Sequence, residues 1–548
     1  MRGGISQALS QIYNSKKFPW IIICIGIALR IVRYLYNTSL WFDESVIAVD
    51  IINRPITDFI NPSPDYTQTG PLSFYILSKL AVQLFGNSEY ALRLVPLLFG
   101  IASLFLFYKV AKEIVSPGAV PVALALFAVL DPLIFYSSEL KPYSGDIAFA
   151  LLILTLALTT IQSKKPDTRH IIILVLAGAI AVLSSNPSVF VLGGVGTALF
   201  VSCLKKKEWS RLRRILIVCT VWALSFIAVY LVYLSGLTAE MAGNMSMEKA
   251  FVMEKYFMPF PPKSLMDIKW FIDAFFDTFL FQDSVIYVKR VTLSGIMAFA
   301  FLAGCVTMFS EKREKFYLLI FPVLLTLLAA AMHQYPFKGR QILFLAPMFL
   351  LIISEGAEYI RDKISKSSVI FGAIFMGLLF IYPVSWAAYH LKKPLIRSEI
   401  RPVLSYIKTN WQEGDIIYVH SFAQYELEYY LKYHPEPFDF NDNEYVTGIA
   451  PRGWYNVWRK NRLPERYKNR ETSAQSRDDL LKEYTDDLDR LRGRKRVWVL
   501  FTGDTTMESF FLSHLDSIGI RLDSFGHSGL GVTYLYDLSR QVTAGSVP

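Results

Sequence analysis

The chain has 548 residues, 53% of them hydrophobic, with a formal net charge of +10 and four cysteines. Such an apolar composition excludes a single soluble domain, and basic residues gathered in short clusters between apolar runs are what positive-inside topology produces, not a nucleic-acid surface. Cys24, Cys203, Cys219 and Cys305 all fall inside apolar segments, so neither a disulfide framework nor a thiolate metal site is expected.

Met1 to Lys17 is polar and mildly basic, and the run after it has no small-residue cleavage site and carries Arg30 and Arg33, which reads as a retained first span. Apolar runs long enough to cross a bilayer as helix then recur along the chain. They cover Phe18–Tyr36, Ala91–Tyr108, Ala119–Tyr136, Ser144–Ile161, His170–Leu183 and Pro187–Leu204. Further runs cover Ile215–Ser235, Val291–Phe309, Phe316–Met332, Gln341–Ile353 and Val369–Ala387. The expectation is a polytopic α-helical protein of about eleven spans. Connections holding Lys109 and Lys112, Lys164 to Arg169, Lys205 to Arg214, Lys312 to Lys315 and Arg361 to Lys366 are basic, whereas Ser137–Tyr143 holds only Lys141 and Ser184–Ser188 holds no base. The alternation sets the N-terminus in the cytoplasm and makes the chain a multi-pass protein of the cell (plasma or inner) membrane.

Two outer loops are long, 37–90 and 236–290. In the first, Asp43–Asn53 closed by Arg54-Pro55, and Pro71–Phe85 closed by Gly86-Asn87, read as interfacial helices lying on the membrane surface. The second carries the Met-rich stretch Met241–Met253 and the turn Met258-Pro259-Phe260-Pro261-Pro262, and a loop of that length reads as a lid or binding loop. Composition changes near residue 390, dividing the chain into a membrane module, 1–390, and a soluble extracytoplasmic α/β domain, 391–548. In the latter, Ile416–Val419 and Val497–Phe501 read as buried strands near amphipathic helices Pro402–Asn410 and Glu508–Ile518.

Trp41-Phe42-Asp43-Glu44 places two carboxylates at the mouth of the first span, where charge is costly. One of the two would serve as general base while its neighbour positions an acceptor or helps hold a divalent cation; an acidic first helical turn is the ordinary alternative. Ser138-Glu139-Leu140-Lys141-Pro142-Tyr143 lies on the same side, with Lys141 suited to a phosphate and Glu139 to a hydroxyl or a metal. A solvated turn with an internal ion pair is equally natural there. Lys338-Gly339-Arg340 offers a fork for phosphate beside a glycine that permits close approach, or a basic pair snorkelling to headgroups. Arg93 reads as phosphate contact or interfacial anchor, and Gln68 as a substrate hydrogen-bonder or part of a helix start. Asp43, Glu44, Gln68, Arg93, Glu139, Lys141 and Arg340 all map to the outer boundary, which suits acids for an acceptor and bases for an anionic lipid head.

Together with Gln68-Thr69-Gly70-Pro71-Leu72, Arg93-Leu94-Val95-Pro96 and Gly339-Arg340, these landmarks resemble those of GT-C membrane glycosyltransferases related to protein O-mannosyltransferases and lipid A aminoarabinose transferase. The similarity covers Pro19 to Gly145 well and the later spans in outline. It implies inverting transfer of a sugar from a polyprenyl-phosphate donor to a lipid, glycan or protein acceptor on the outer face. By the resemblance Asp43 is the base, Glu44 completes the acidic pair, and Gln68, Arg93, Glu139, Lys141, Tyr143, Lys338 and Arg340 bind substrate. Lys141 stands where relatives often have Arg, and Gln68 where they often have His or Lys. Relatives differ in metal dependence, so the resemblance leaves a divalent metal ion open and makes no cofactor certain; such an ion, if used, would fall to Asp43, Glu44 and Glu139. The rival readings are a transporter or flippase of lipid-linked sugars and a noncatalytic assembly protein. The first predicts ionisable residues near midplane, the second far fewer spans.

Overall fold

The computed structural model describes residues 17–60, 70–162, 168–234, 257–279, 287–366, 368–441, 443–448, 477–503 and 507–539. Gln68 and Met241–Met253 lie outside them. The helices, in chain order, are α1 (Phe18–Leu35), α2 (Phe42–Asn53), α3 (Ile56–Ile60), α4 (Leu72–Phe85), α5 (Glu89–Ile114), α6 (Ala119–Val129), α7 (Asp131–Phe135), α8 (Tyr143–Gln162), α9 (Thr168–Ser184), α10 (Ser188–Lys205), α11 (Trp209–Val229), α12 (Leu265–Thr278), α13 (Tyr287–Glu311), α14 (Arg313–Ala331), α15 (Ala346–Ser365) and α16 (Val369–Lys392). Among the described residues, 9 are long and apolar enough to cross a membrane: α1, α5, α8, α10, α11, α13, α14, α15 with the 3₁₀ turn before it, and α16. The bent pair formed by α6 and Asp131–Ser138 raises the number to 10, and α9, a shorter apolar helix of 17 residues, occupies the remaining expected place. The chain is a multi-pass, mainly helical membrane protein.

The bend between α6 and α7 is 58°. Pro132 explains it: the residue has no N–H, and its ring would strike the carbonyl four residues back if the helix continued. Carbonyls freed at such a break need partners inside a bilayer. Arg30 of α1, fully buried, supplies them by donating to Ala128 O at 3.3 Å and Phe127 O at 3.4 Å. An arginine that looks misplaced in an apolar span is thus a cap for a neighbouring broken helix, and the break turns the chain toward Glu139 and Lys141.

Elsewhere the bundle closes on small residues. α13 and α15 touch backbone to backbone, since a Cβ on Gly304 would lie 1.9 Å from Ile352 O and one on Gly356 1.9 Å from Ala300 O. Close packing of this kind drives association where lipid removes the hydrophobic drive between helices.

After the last span, α17 (Ile400–Thr409), α18 (Gln424–Glu428), α19 (Arg477–Asp489) and α20 (Glu508–Ile518) accompany one mixed sheet. Its strands are β1 (Ile416–Val419), β2 (Tyr445–Thr447), β3 (Val497–Thr502), β4 (Ile520–His527) and β5 (Gly531–Asp537), in the order β2-β1-β3-β5-β4. β1 pairs in parallel with β2 and β3, while β5 runs antiparallel between β3 and β4. β1 and β3 are buried along their whole length, as central strands covered on both faces should be.

The structure departs from the sequence reading at α2, which does not lie on a surface. Every residue from Glu44 to Ile51 is buried, in a core that joins Leu40, Val49 and Phe74 to Val403, Tyr429 and Trp498 of the C-terminal region. Its polar residues mimic a wet face, but Asp50 and Arg54 pair with each other at 2.7 Å and both are buried. α4 differs, showing Leu77, Leu80, Leu84 and Phe85 on an exposed apolar face that suits lipid. The first long loop is therefore a floor on which the C-terminal region is packed.

Candidate active site

Asp43 sits in the first turn of α2, its side chain still 19% exposed. Arg340 Nη2 approaches its Oδ2 to 3.0 Å and Lys141 Nζ to 3.6 Å. The two cations come from different places, Lys141 from the connection between α7 and α8 and Arg340 from the 3₁₀ turn Gly339–Leu345. Gly339, with φ of +50°, adopts a conformation that side chains resist and opens the turn that carries Arg340. Burial pushes the Asp43 carboxyl up, but Lys141, Arg340 and Arg397 outweigh it and hold the group below the usual carboxylate range. Burial dominates at Lys141 and lowers its ammonium to about 8, despite Asp43 beside it.

Trp41 is the hub. Its ring has the charged ends of Arg397, Arg340 and Lys141 at 4.7, 5.6 and 5.8 Å from its centre, and its Nε1 donates to Glu139 Oε2 at 2.7 Å. Cations over an indole face gain from its quadrupole. Arg33, which lies over Phe135, pairs with Glu139 Oε1 at 3.1 Å. Burial and the charge of Glu44 push the Glu139 carboxyl upward, against the pull of Arg93 and Arg33.

Glu44 is wholly buried and meets Arg93 in a two-pronged contact, Nε to Oε1 at 2.9 Å and Nη2 to Oε2 at 2.5 Å. Its Oε1 also accepts from Leu140 N–H at 2.6 Å. Arg93 in turn donates to the carbonyls of Thr38 and Ser39. Glu44 and Arg93 thus lock the segment before α2 to α5 and to the strip that carries Lys141, which fixes the backbone beneath Asp43.

The structure brings Asp43, Lys141 and Arg340 together, with Glu139, Glu44 and Arg93 behind them. Tyr143, at the start of α8, stands edge-to-face with Tyr136, their ring centres 4.8 Å apart. Lys338 lies half-buried just before the turn of Arg340, and His333 is exposed and stacks on Phe257. Asp43, Glu44 and Glu139 do not converge as a ligand set. Each faces cations, and no cluster of three His, Cys, Asp or Glu that could hold a metal ion occurs among the described residues. As placed, these side chains do not fit a divalent ion. Trp41 as hub, Arg33 and Arg397 are site members that the sequence alone does not single out; only the cost of a charge in the first span hints at Arg33.

Residues 68–233 match the family described as dolichyl-phosphate-mannose-protein mannosyltransferase. Among solved structures, the chain is similar to ArnT from Cupriavidus metallidurans bound to undecaprenyl phosphate, with a TM-score of 0.52 at 9% identity, covering 95% of this chain and 98% of that one. The fold is that of the GT-C membrane glycosyltransferases. An Archaeoglobus fulgidus oligosaccharyltransferase in complex with Zn and sulfate aligns at a TM-score of 0.49 and 15% identity, over 94% of this chain and 73% of that one. AglB from the same organism, in complex with an inhibitory peptide and a dolichol-phosphate, aligns at 0.48 and 15%, over 97% and 75%. No curated protein matches the chain by sequence. The stretch that matches the family begins at residue 68, so Asp43 precedes it while Arg93, Glu139 and Lys141 fall inside it.

Proposed function

We propose that the protein transfers a sugar from a polyprenyl-phosphate donor to an acceptor hydroxyl, with inversion at the anomeric carbon and Asp43 as the base. The observation that carries the reading is a partly open carboxylate held between Lys141 and Arg340 beside a membrane bundle. A lipid phosphate arriving there competes for both cations. As they turn to the phosphate, Asp43 loses the charges that suppress its basicity, and its proton affinity rises where the acceptor is held. The acceptor oxygen then bonds to the anomeric carbon as the bond from that carbon to the phosphate oxygen breaks. The electron pair leaves with the phosphate, and the hydroxyl proton goes to Asp43. Glu44 and Arg93 act as positioning residues in this scheme. Gln68, Tyr143 and Lys338 remain candidates for substrate contact, and no step is assigned to a metal.

We also place the site on the outer face of the cell membrane, since the loops assigned to the other face hold Lys109, Lys205 to Lys207, Lys312 to Lys315 and Lys363. In this arrangement 1–390 is the membrane module and 391–548 an extracytoplasmic domain that roofs the site and meets the lipid, glycan or protein acceptor.

The test is transfer from a panel of polyprenyl-phosphate sugars of known anomeric configuration in vesicles, with the product anomer read by NMR. An inverted product supports the reading. A retained anomer, or transport of intact donor without cleavage, contradicts it.

A further inference from the structure

Arg397 lies in the link between α16 and α17, outside the stretch that matches the mannosyltransferase family. Its guanidinium stacks 4.7 Å from the centre of Trp41 and 5.2 Å from that of Phe135. The same indole carries Lys141 and Arg340, so three cations surround one ring, one residue before α2 and two before Asp43. Arg397 makes no ion pair among the described residues. Its one hydrogen bond there runs from Nη2 to the Tyr136 hydroxyl at 3.3 Å, and its Nε is buried without a partner. Holding a half-buried guanidinium without a carboxylate is costly, and an anion that enters from outside relieves the cost.

The backbone around Arg397 is fixed. Ser398 donates to Glu426 Oε2 at 2.6 Å, and Glu399 accepts from the Ser39 hydroxyl at 2.5 Å. These bonds tie the link to α18 on one side and to the segment before α2 on the other. Arg397 therefore reaches the site only when the C-terminal region is seated.

Charge balance says what the third cation is for. Among the described residues Glu44 is paired with Arg93 and Glu139 with Arg33, while Asp43 faces Lys141 and Arg340, and Arg397, on the same indole, has no ion pair there. A polyprenyl-phosphate sugar is a phosphodiester with one negative charge. When the bond from the anomeric carbon to the phosphate oxygen breaks, the electron pair stays on that oxygen and the leaving polyprenyl phosphate becomes a monoester with two. We propose that Arg397 is a phosphate-binding catalytic residue, contributed by the C-terminal region, that stabilises the second negative charge developing on the departing lipid phosphate. It acts on the transition state more than on the bound donor, which is where a cation raises turnover. The proposal rests on the transfer reading above.

The experiment uses the full chain in lipid nanodiscs, with polyprenyl phosphate and its methyl ester as probes of the dianion and the monoanion. Binding of each is measured from pH 5.5 to 8 for the wild type, Arg397→Gln and Arg397→Lys. The wild type is expected to prefer the monoester increasingly as pH rises through that group's second ionisation, at about 6. Arg397→Gln should lose that preference about tenfold while holding the methyl ester within about threefold of wild type, and Arg397→Lys should recover part of it. Where transfer is measurable, kcat should fall about 100-fold in Arg397→Gln with donor KM within about threefold. Equal weakening of both probes, or an unchanged preference in Arg397→Gln, overturns the proposal, as does a wild type that binds neither. Because binding needs no turnover, a wild type that prefers the monoester but transfers from no donor would sink the transfer reading and leave the anion site standing.

Discussion

Two neighbouring carboxylates, Asp43 and Glu44, stand in different surroundings, and the proposed roles follow from that difference. Glu44 has a bidentate arginine, a backbone N–H and no solvent, whereas Asp43 keeps an open edge and shares its cations with whatever binds. Lys141 makes the site's charge sensitive to pH. Burial lowers its ammonium to about 8, so the cation is present below that value and lost as pH rises through it. We expect kcat/KM, which reports the free enzyme, to fall above about pH 8, and the corresponding limb of kcat to lie higher because a bound phosphate restores the proton. Lys141→Arg should remove the limb, since a guanidinium does not titrate in this range. A limb that persists unchanged in Lys141→Arg would show that another group sets it.

At the scale of elements, the site depends on how closely helices approach far from it. α13 and α15 meet at Gly304 and Gly356, and α15 is continuous with the turn that carries Arg340. Gly356→Leu cannot be absorbed by a side-chain shift, because the first obstacle is the Ala300 carbonyl. It should force the helices apart, lower the melting temperature by several degrees and reduce turnover by about tenfold or more, with Gly356→Ala intermediate. Wild-type melting and turnover in Gly356→Leu would contradict the packing. Elements of this kind are legible in the sequence to different degrees. The long apolar runs, β1 and β3 are visible in hydropathy alone because each is uniform over its length, and α20 is visible in its amphipathic period. α2 reads as a surface helix because Asp50 and Arg54 look like a solvent face until their mutual pairing is seen. Trp41-Phe42-Asp43-Glu44 stands out because acids are rare in such company. Arg397 does not, because the indole it stacks on lies far earlier in the chain and nothing in Leu395-Ile396-Arg397-Ser398 announces it.

Across the whole molecule, one core joins the floor helices to the C-terminal sheet, and a polar seam reinforces it. At that seam Glu89, buried at the start of α5, meets His434 Nε2 at 3.2 Å, the Tyr430 hydroxyl at 2.9 Å and Arg401 Nη1 at 3.4 Å. The bond to Glu89 raises the His434 imidazole, outweighing burial. A raised histidine stabilises the folded state below the ordinary value of about 6.5 and loses that contribution as pH climbs through its folded value. The seam should therefore weaken above neutrality. The wild-type melting temperature should drop by about 2 °C relative to His434→Gln between pH 5.5 and 8.5, as expected for about 1–2 kcal/mol from one charged hydrogen bond. Parallel melting curves would refute the linkage. Floor, bundle and roof thus converge on one carboxylate, and the central claim is that Asp43 is the base of a sugar transfer. The most direct measurement is release of free polyprenyl phosphate from a polyprenyl-phosphate sugar, with a mixed pool of acceptors, by vesicles holding the wild type or Asp43→Asn. The account predicts release by the wild type, a loss of about 100-fold or more in Asp43→Asn, and retained folding and lipid binding in the variant. Release that survives in Asp43→Asn would contradict it.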